Sequence, residues 1–143
     1  MKLRLLPLLF LAIALPAAAH VSVLPSESQA GAAEKYLVRV PGEGKIATTE
    51  VQLEVPVDVR VIVVGAPIGW TQEIERRDNR IVRIVWKMEI KPGEFAEFPF
   101  IARNPKEGSE IVWKVRQQYA DGSATDWAGT PSERNRAPVT KLR

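Results

Sequence analysis

The single histidine of the chain, His20, is placed where it could bind a metal ion. It follows the alanines at 17–19, and a peptidase cut after Ala19 would give it a free α-amine. That amine and the imidazole Nδ1 can close a six-membered chelate ring around a metal. Nitrogen donors in a tetragonal arrangement suit Cu(II), which also heads the divalent affinity series. The alternative is that a secreted chain simply begins with an arbitrary residue.

A third ligand would have to be a carboxylate, because the chain has no cysteine and no second histidine. The segment 20–25 reads as a short strand, and 34–41 can return antiparallel beside it. The start of the first strand then lies beside the end of the second, where Glu43 follows in a loop flanked by glycines that allow close backbone approach. Glu27 is the other candidate, but it lies at the far end of the first strand. An extended chain covers about 3.3 Å per residue, so we expect Glu27 to be too distant from His20.

The first residues of the chain have the layout of a secretory signal peptide. Lys2 and Arg4 precede an apolar run at 5–15, and small residues follow at 17–19. The run is too short to span a bilayer, which needs about 20 apolar residues. We therefore expect 1–19 to be cleaved. No long apolar run follows, so we expect a periplasmic or secreted protein without a membrane anchor.

Charge and length indicate one domain with no affinity for nucleic acid. The chain has 20 basic and 17 acidic residues and a net charge of +3, and removal of Lys2 and Arg4 leaves it close to neutral. No basic cluster with interleaved aromatics is present. Residues 20–143 have the length of a single domain.

In the rest of the chain, apolar and polar residues alternate with a period of two. This pattern predicts an all-β fold, an antiparallel β-sandwich or barrel. Asp121-Gly122 predicts a hairpin that joins 109–120 to 123–128. The segment 137–142 is expected to be an edge strand or a loose end. The four tryptophans are expected to pack in or near the core. The predicted strands, up to and including the first strand of the hairpin, are 36–40, 48–56, 59–67, 80–88, 93–102 and 109–120.

A series of motifs resembles the YcnI-like copper-binding domain family. The motifs are "HVSVLPSESQAG", "RVPGE", "TTEVQLEVP", "PIGW", "GEFAEFPF", "VRQQYADGSATDW" and "APVTKL", in that order. Together they cover nearly all of residues 20–143. The resemblance implies an Ig-like or cupredoxin-like β-sandwich outside the cytoplasmic membrane.

The same resemblance implies a copper site and a role. One Cu(II) is held by a monohistidine brace, the amine and imidazole of His20 with a glutamate, which we place at Glu43. A tryptophan close to the metal falls on Trp127. Relatives accompany membrane copper importers and periplasmic copper chaperones, which implies a copper carrier or metallochaperone and not an enzyme.

Other functions find less support in the residues. Lytic polysaccharide monooxygenases and CopC-like carriers also begin with histidine, but they use a second one. A hydrolase triad requires a histidine positioned beside its nucleophile, and His20 is poorly placed for that. The remaining alternative is a β-sandwich adhesion or structural module in which His20 is incidental.

Overall fold

The computed structural model describes residues 20–143, so the expected signal peptide at 1–19 lies outside the described residues. This part of the chain forms β-strands joined by turns, with no α-helix. The strands are β1 (Ser22–Leu24), β2 (Glu27–Ser28), β3 (Ala33–Pro41), β4 (Thr48–Glu54), β5 (Arg60–Val64), β6 (Thr71–Arg77), β7 (Arg80–Ile90), β8 (Phe95–Arg103), β9 (Glu110–Val112), β10 (Lys114–Tyr119), β11 (Ala124–Trp127) and β12 (Val139–Leu142).

Two larger sheets enclose the core and a small third sheet closes one side. Their strand orders are β1-β3-β8-β5, β11-β10-β4-β7-β6 and β2-β12-β9. Every pairing is antiparallel except that of β2 with β12. The all-β, antiparallel fold class expected from the sequence is confirmed.

Alternating side chains of the long strands fill the space between the two larger sheets. Tyr36, Val38 and Val40 of β3 are fully buried. Across the core, the rings of Trp86 and Phe98 lie 5.0 Å apart between their centroids. Burial of such large aromatic and β-branched side chains is the main stabilising contribution in a domain that has no disulfide.

Strand β6 (Thr71–Arg77) was not predicted. Its sequence, TQEIERR, is mostly charged, and only Ile74 packs against the core as a partly buried hydrophobic residue. β6 is an edge strand, paired with β7 alone, and charged side chains are common on such edges because they discourage further pairing. Asp78 and Asn79, with φ of 49° and 61°, form the tight turn between the two strands.

The predicted strand 109–120 is wrong as a single element, because it divides at Trp113 between two sheets. β9 pairs with β12, whereas β10 pairs with β4 and β11. Trp113 donates its backbone N–H to Pro138 O at 2.9 Å and its indole N–H to Thr140 Oγ1 at 3.0 Å. The backbone N–H and the indole N–H of Trp113 are therefore both bonded at the point where the chain passes from one sheet to the other. The alternation of buried residues continues through this point.

Two other expectations concern the end of the chain. The hairpin at Asp121-Gly122 is confirmed, since β10 and β11 pair on either side of it. β12 is neither an edge strand nor a loose end, because it lies between β2 and β9.

Within residues 20–143 there is no helix with the length and apolarity needed to cross a bilayer.

Candidate metal centre

His20 lies two residues before β1, an edge strand of the four-stranded sheet. β1 pairs with β3 so that Ser22 faces Arg39, and continuing this register places His20 beside Pro41, the last residue of β3. The imidazole is half-buried. It opens onto a groove of about 500 Å³. The walls of this groove are mostly apolar and include Leu24, Val112, Pro131 and Val139.

Trp127 ends β11 and packs against His20. The centroids of the two rings are 5.6 Å apart, with their planes at 67°, which is an edge-to-face contact. Trp127 is 8% exposed, and its indole N–H donates to Gln117 Oε1 at 3.1 Å. Since that N–H is already bonded, Trp127 presents a carbon surface to the imidazole and shields one side of it from water.

Gln117 holds Trp127 in this position, and the sequence reasoning missed it. Its side chain is 2% exposed, and its amide N–H groups donate to Thr48 Oγ1 at 2.8 Å and to Pro41 O at 3.2 Å. The amide therefore joins the end of β3, which lies beside His20, to the tryptophan that contacts His20. A sequence signal existed, because Gln117 continues the inward phase of Ile111, Trp113 and Val115, where a glutamine must find buried partners.

Arg136 is the second residue that the sequence reasoning missed. Its Nη1 lies 3.2 Å from His20 Nε2. The turn before it is ordered by Glu133, which accepts hydrogen bonds from Thr130 N and Thr130 Oγ1 at 3.1 and 2.8 Å. These bonds lower the pKa of the Glu133 carboxyl. No local pattern could reveal Arg136, because only the fold brings it across 116 residues to His20.

Glu43 is exposed in the loop after β3, two residues beyond the position that faces His20. The preceding Gly42 is buried, donates to Glu94 O at 2.7 Å and accepts from Gly93 N at 2.9 Å. A Cβ on Gly42 would lie 2.3 Å from Lys91 O, so only glycine allows this close approach. The loop that carries Glu43 is thereby anchored at its first residue, on the same end of the sheet as His20.

Glu27, the other acidic candidate, lies in β2 and belongs to a different environment. Its carboxylate forms an ion pair with Arg143, and β2 pairs with Lys141 and Leu142 of β12. Glu27 is seven positions after His20, along a chain that runs away from that end of the sheet. The geometry therefore groups Glu43, and not Glu27, with the end of the sheet that holds His20.

Side-chain donors alone do not form a multidentate site here. Within residues 20–143 no group of three or more histidine, cysteine, aspartate or glutamate side chains is close enough to hold a metal ion. A site that uses the His20 amine would need only one imidazole and one carboxylate besides. The donor types near His20 fit such a brace.

Comparisons with known proteins place the chain in a family. Residues 20–142 match the model of a family described as "Domain of unknown function (DUF1775)". The chain is 39% identical over 117 residues to a protein of Bacillus subtilis (strain 168) named "Copper-binding protein CutI". That match covers 80% of this chain but only 57% of the relative, so the chain spans little more than half of that protein.

A solved structure supports the fold. It is an uncharacterized protein from Nocardia farcinica, described as having an immunoglobulin-like fold. The TM-score is 0.73 at 28% identity, with 86% of this chain and 97% of the other covered. The Ig-like sandwich expected from the sequence is confirmed, and the chain belongs to the DUF1775 family, the YcnI-like family that its motifs predicted.

Proposed function

We propose that this protein binds Cu(II) outside the cytoplasm and acts as a copper carrier. The observation that carries the proposal is the placement of His20, whose imidazole packs on Trp127 beside the loop that holds Glu43. The name of the Bacillus subtilis relative, a copper-binding protein, supports copper as the metal.

The ligands are the α-amine and Nδ1 of His20, freed by cleavage of 1–19, and the carboxylate of Glu43. Two nitrogens and one oxygen in a tetragonal arrangement favour Cu(II). Trp127 covers one side of the ion and does not ligate it, because a neutral indole is a donor only. The Ala17–Ala19 cleavage motif and the apolar run before it support export to the periplasm or the exterior.

The role is transport of copper and not catalysis. The chain offers one imidazole, no thiolate and no cluster of methionines, so it lacks the set of soft ligands that would hold Cu(I), and reduction by an external electron donor weakens binding. Weak binding of Cu(I) provides a step at which the ion is released. The partners that load or receive copper are a membrane copper importer or a periplasmic copper chaperone.

Blocking the α-amine of His20 tests the ligand set. A mature chain that begins at His20 is compared with the same chain selectively acetylated at that α-amine, which retains the imidazole and the fold but removes the amine as a ligand. We expect the dissociation constant for Cu(II), measured by competition with a chromophoric chelator, to rise by about 100-fold, because two donors on one residue reinforce each other.

His20→Ala provides the matched control and should bind no more tightly than the acetylated chain. Equal Cu(II) affinity in the native and acetylated chains would refute the brace and favour the adhesion or structural module. Mass analysis of the N-terminus of the exported protein checks the cleavage position independently.

A further inference from the structure

The contact between Arg136 and His20 bears on how copper enters the site, and the inference rests on the proposed function. We propose that Arg136 holds the imidazole in the tautomer that cannot chelate copper. Copper must therefore displace this guanidinium before the brace closes. Arg136 is a positioning residue for the metal-free state, and its presence lowers the affinity for Cu(II).

The hydrogen bond between Arg136 and His20 can run in only one direction. A guanidinium has only donors, so Nε2 of His20 must accept in the 3.2 Å contact with Arg136 Nη1. A neutral imidazole has one protonated nitrogen and one acceptor nitrogen. With Nε2 accepting, the proton is on Nδ1.

The chelate requires the opposite arrangement. Nδ1 is the ring nitrogen that closes a six-membered ring with the α-amine of the same residue, and it must offer its lone pair to the metal. On binding, Nδ1 loses its proton and Nε2 gains one, by exchange through water. Two N–H groups, on Nε2 and on Arg136, then face each other, so the hydrogen bond between them breaks.

The fold keeps Arg136 at this place without fixing its side chain. Its backbone N–H donates to Glu133 O at 3.3 Å, and the next residue, Ala137, donates to Gly129 O at 3.0 Å. The Arg136 side chain itself is exposed, so it can turn into solvent once the bond is broken. Displacement therefore costs about one hydrogen bond and leaves the backbone in place.

The charge of Arg136 acts in the same direction. Its guanidinium lies beside the proposed ligand and repels an incoming dication. Arg134, two residues earlier in the same exposed turn, carries the same charge but is not the residue that contacts His20. Comparison of the two arginines separates the hydrogen bond from the general positive charge of the turn.

The first experiment needs no copper. The mature chain beginning at His20 is labelled with ¹⁵N, and long-range ¹H–¹⁵N correlations assign the protonated ring nitrogen at a pH where the imidazole is neutral. We expect protonated Nδ1 in the wild type and in Arg134→Ala, and mainly protonated Nε2 in Arg136→Ala. Protonated Nε2 in the wild type would overturn the proposal.

The second experiment measures Cu(II) affinity by chelator competition in the same three proteins. We expect Arg136→Ala to bind Cu(II) about 3- to 10-fold more tightly than the wild type, the range of one exposed hydrogen bond, and Arg134→Ala to change by less than about 2-fold. Circular dichroism verifies that each variant is folded.

The outcomes separate the two proposals. If neither the wild type nor either variant binds Cu(II), the proposed function fails. If the wild type binds but Arg136→Ala binds no more tightly than Arg134→Ala, the role of Arg136 fails and the proposed function stands.

Discussion

Asn104 and Gln117 are both buried amides, and they lie at opposite ends of β3. Asn104 donates its backbone N–H to Ala32 O, just before the strand begins, and Gln117 donates its side-chain N–H to Pro41 O, where it ends. Exposure is 3% for Asn104 and 2% for Gln117. In each case both the carbonyl oxygen and the amide nitrogen are bonded.

The two amides differ in what they hold. Asn104 accepts from Tyr36 OH at 2.6 Å and donates to Ser28 Oγ and Gln29 O at 2.9 and 2.8 Å. These bonds connect Asn104 to Ser28 of β2, to Gln29 in the turn that follows it and to Tyr36 of β3. The Asn104 end is therefore a structural network.

Gln117 instead orders a side chain that contacts the only imidazole of the chain. It binds Trp127 on one side and Thr48 and Pro41 on the other, and Trp127 packs against His20. A buried, satisfied amide therefore does not by itself indicate a functional site. What distinguishes the Gln117 end is the reactive group that the network positions.

Substitution of either amide should give the largest loss of stability among the changes considered, and a second measurement should distinguish the two ends of β3. Gln117→Ala leaves the indole N–H of Trp127 without its bond, and Asn104→Ala leaves the buried Tyr36 hydroxyl without its acceptor. We expect each to lower the free energy of unfolding, measured in urea, by about 2–4 kcal/mol.

Only Gln117→Ala should also change the environment of His20. The ring current of Trp127 shifts the imidazole protons in the NMR spectrum, and Trp127→Phe measures how large that shift is. If Asn104→Ala altered the His20 shifts as much as Gln117→Ala, the division between the two ends would be wrong.

A second prediction uses the two acidic candidates, one near each end. Glu43→Gln should weaken Cu(II) binding by about 10-fold or more, equivalent to about 1.4 kcal/mol, because a charged oxygen ligand is lost. Glu27→Gln should leave the affinity within about 2-fold, because it breaks only an exposed ion pair with Arg143. The same chelator competition measures both, and the reverse order would assign the ligand to Glu27.

The third prediction concerns pH and the Asn104 end. Burial raises the pKa of the Tyr36 phenol above its ordinary value, so the unfolded chain releases this proton at lower pH than the folded protein. Stability is therefore complete below about pH 10 and falls as the pH rises through the folded pKa, by at most about 1.4 kcal/mol per pH unit. Tyr36→Phe should flatten this alkaline decline in urea unfolding. An unchanged slope would exclude Tyr36 as its source.

Much of the fold could be predicted because several strands that form the core alternate between buried and less buried residues over most of their length. β3, β4 and β8 each bury one face, and a period of two is sufficient to recognise them. β6 escaped because an exposed edge strand has little apolar pattern. The change of sheet at Trp113 escaped because the alternation passes through it unbroken, and only the partners of its backbone reveal it.

The candidate site also contains residues that could be predicted from the sequence and residues that could not. His20 stands out by its position after the alanines, and the antiparallel return of β3 beside β1 follows from their apolar patterns, as predicted. Arg136 and Gln117 depend on contacts between residues that are far apart along the chain, such as Gln117 with Pro41 across 76 residues. The alternation of 111–117 indicates that Gln117 faces inward, but its partners and the contact of Arg136 with His20 are properties of the assembled fold, for which one sequence contains no local signal.

The central place of β12 in the small sheet has a consequence for how the protein is made. β12 joins β2 to β9, and Thr140 Oγ1 donates to Pro25 O across 115 residues. A nascent polypeptide cannot complete this sheet until β12 has been synthesised, and closure over such a distance is entropically demanding. β2, which is translated more than 100 residues earlier, therefore waits for its only partner strand within residues 20–143 until that point.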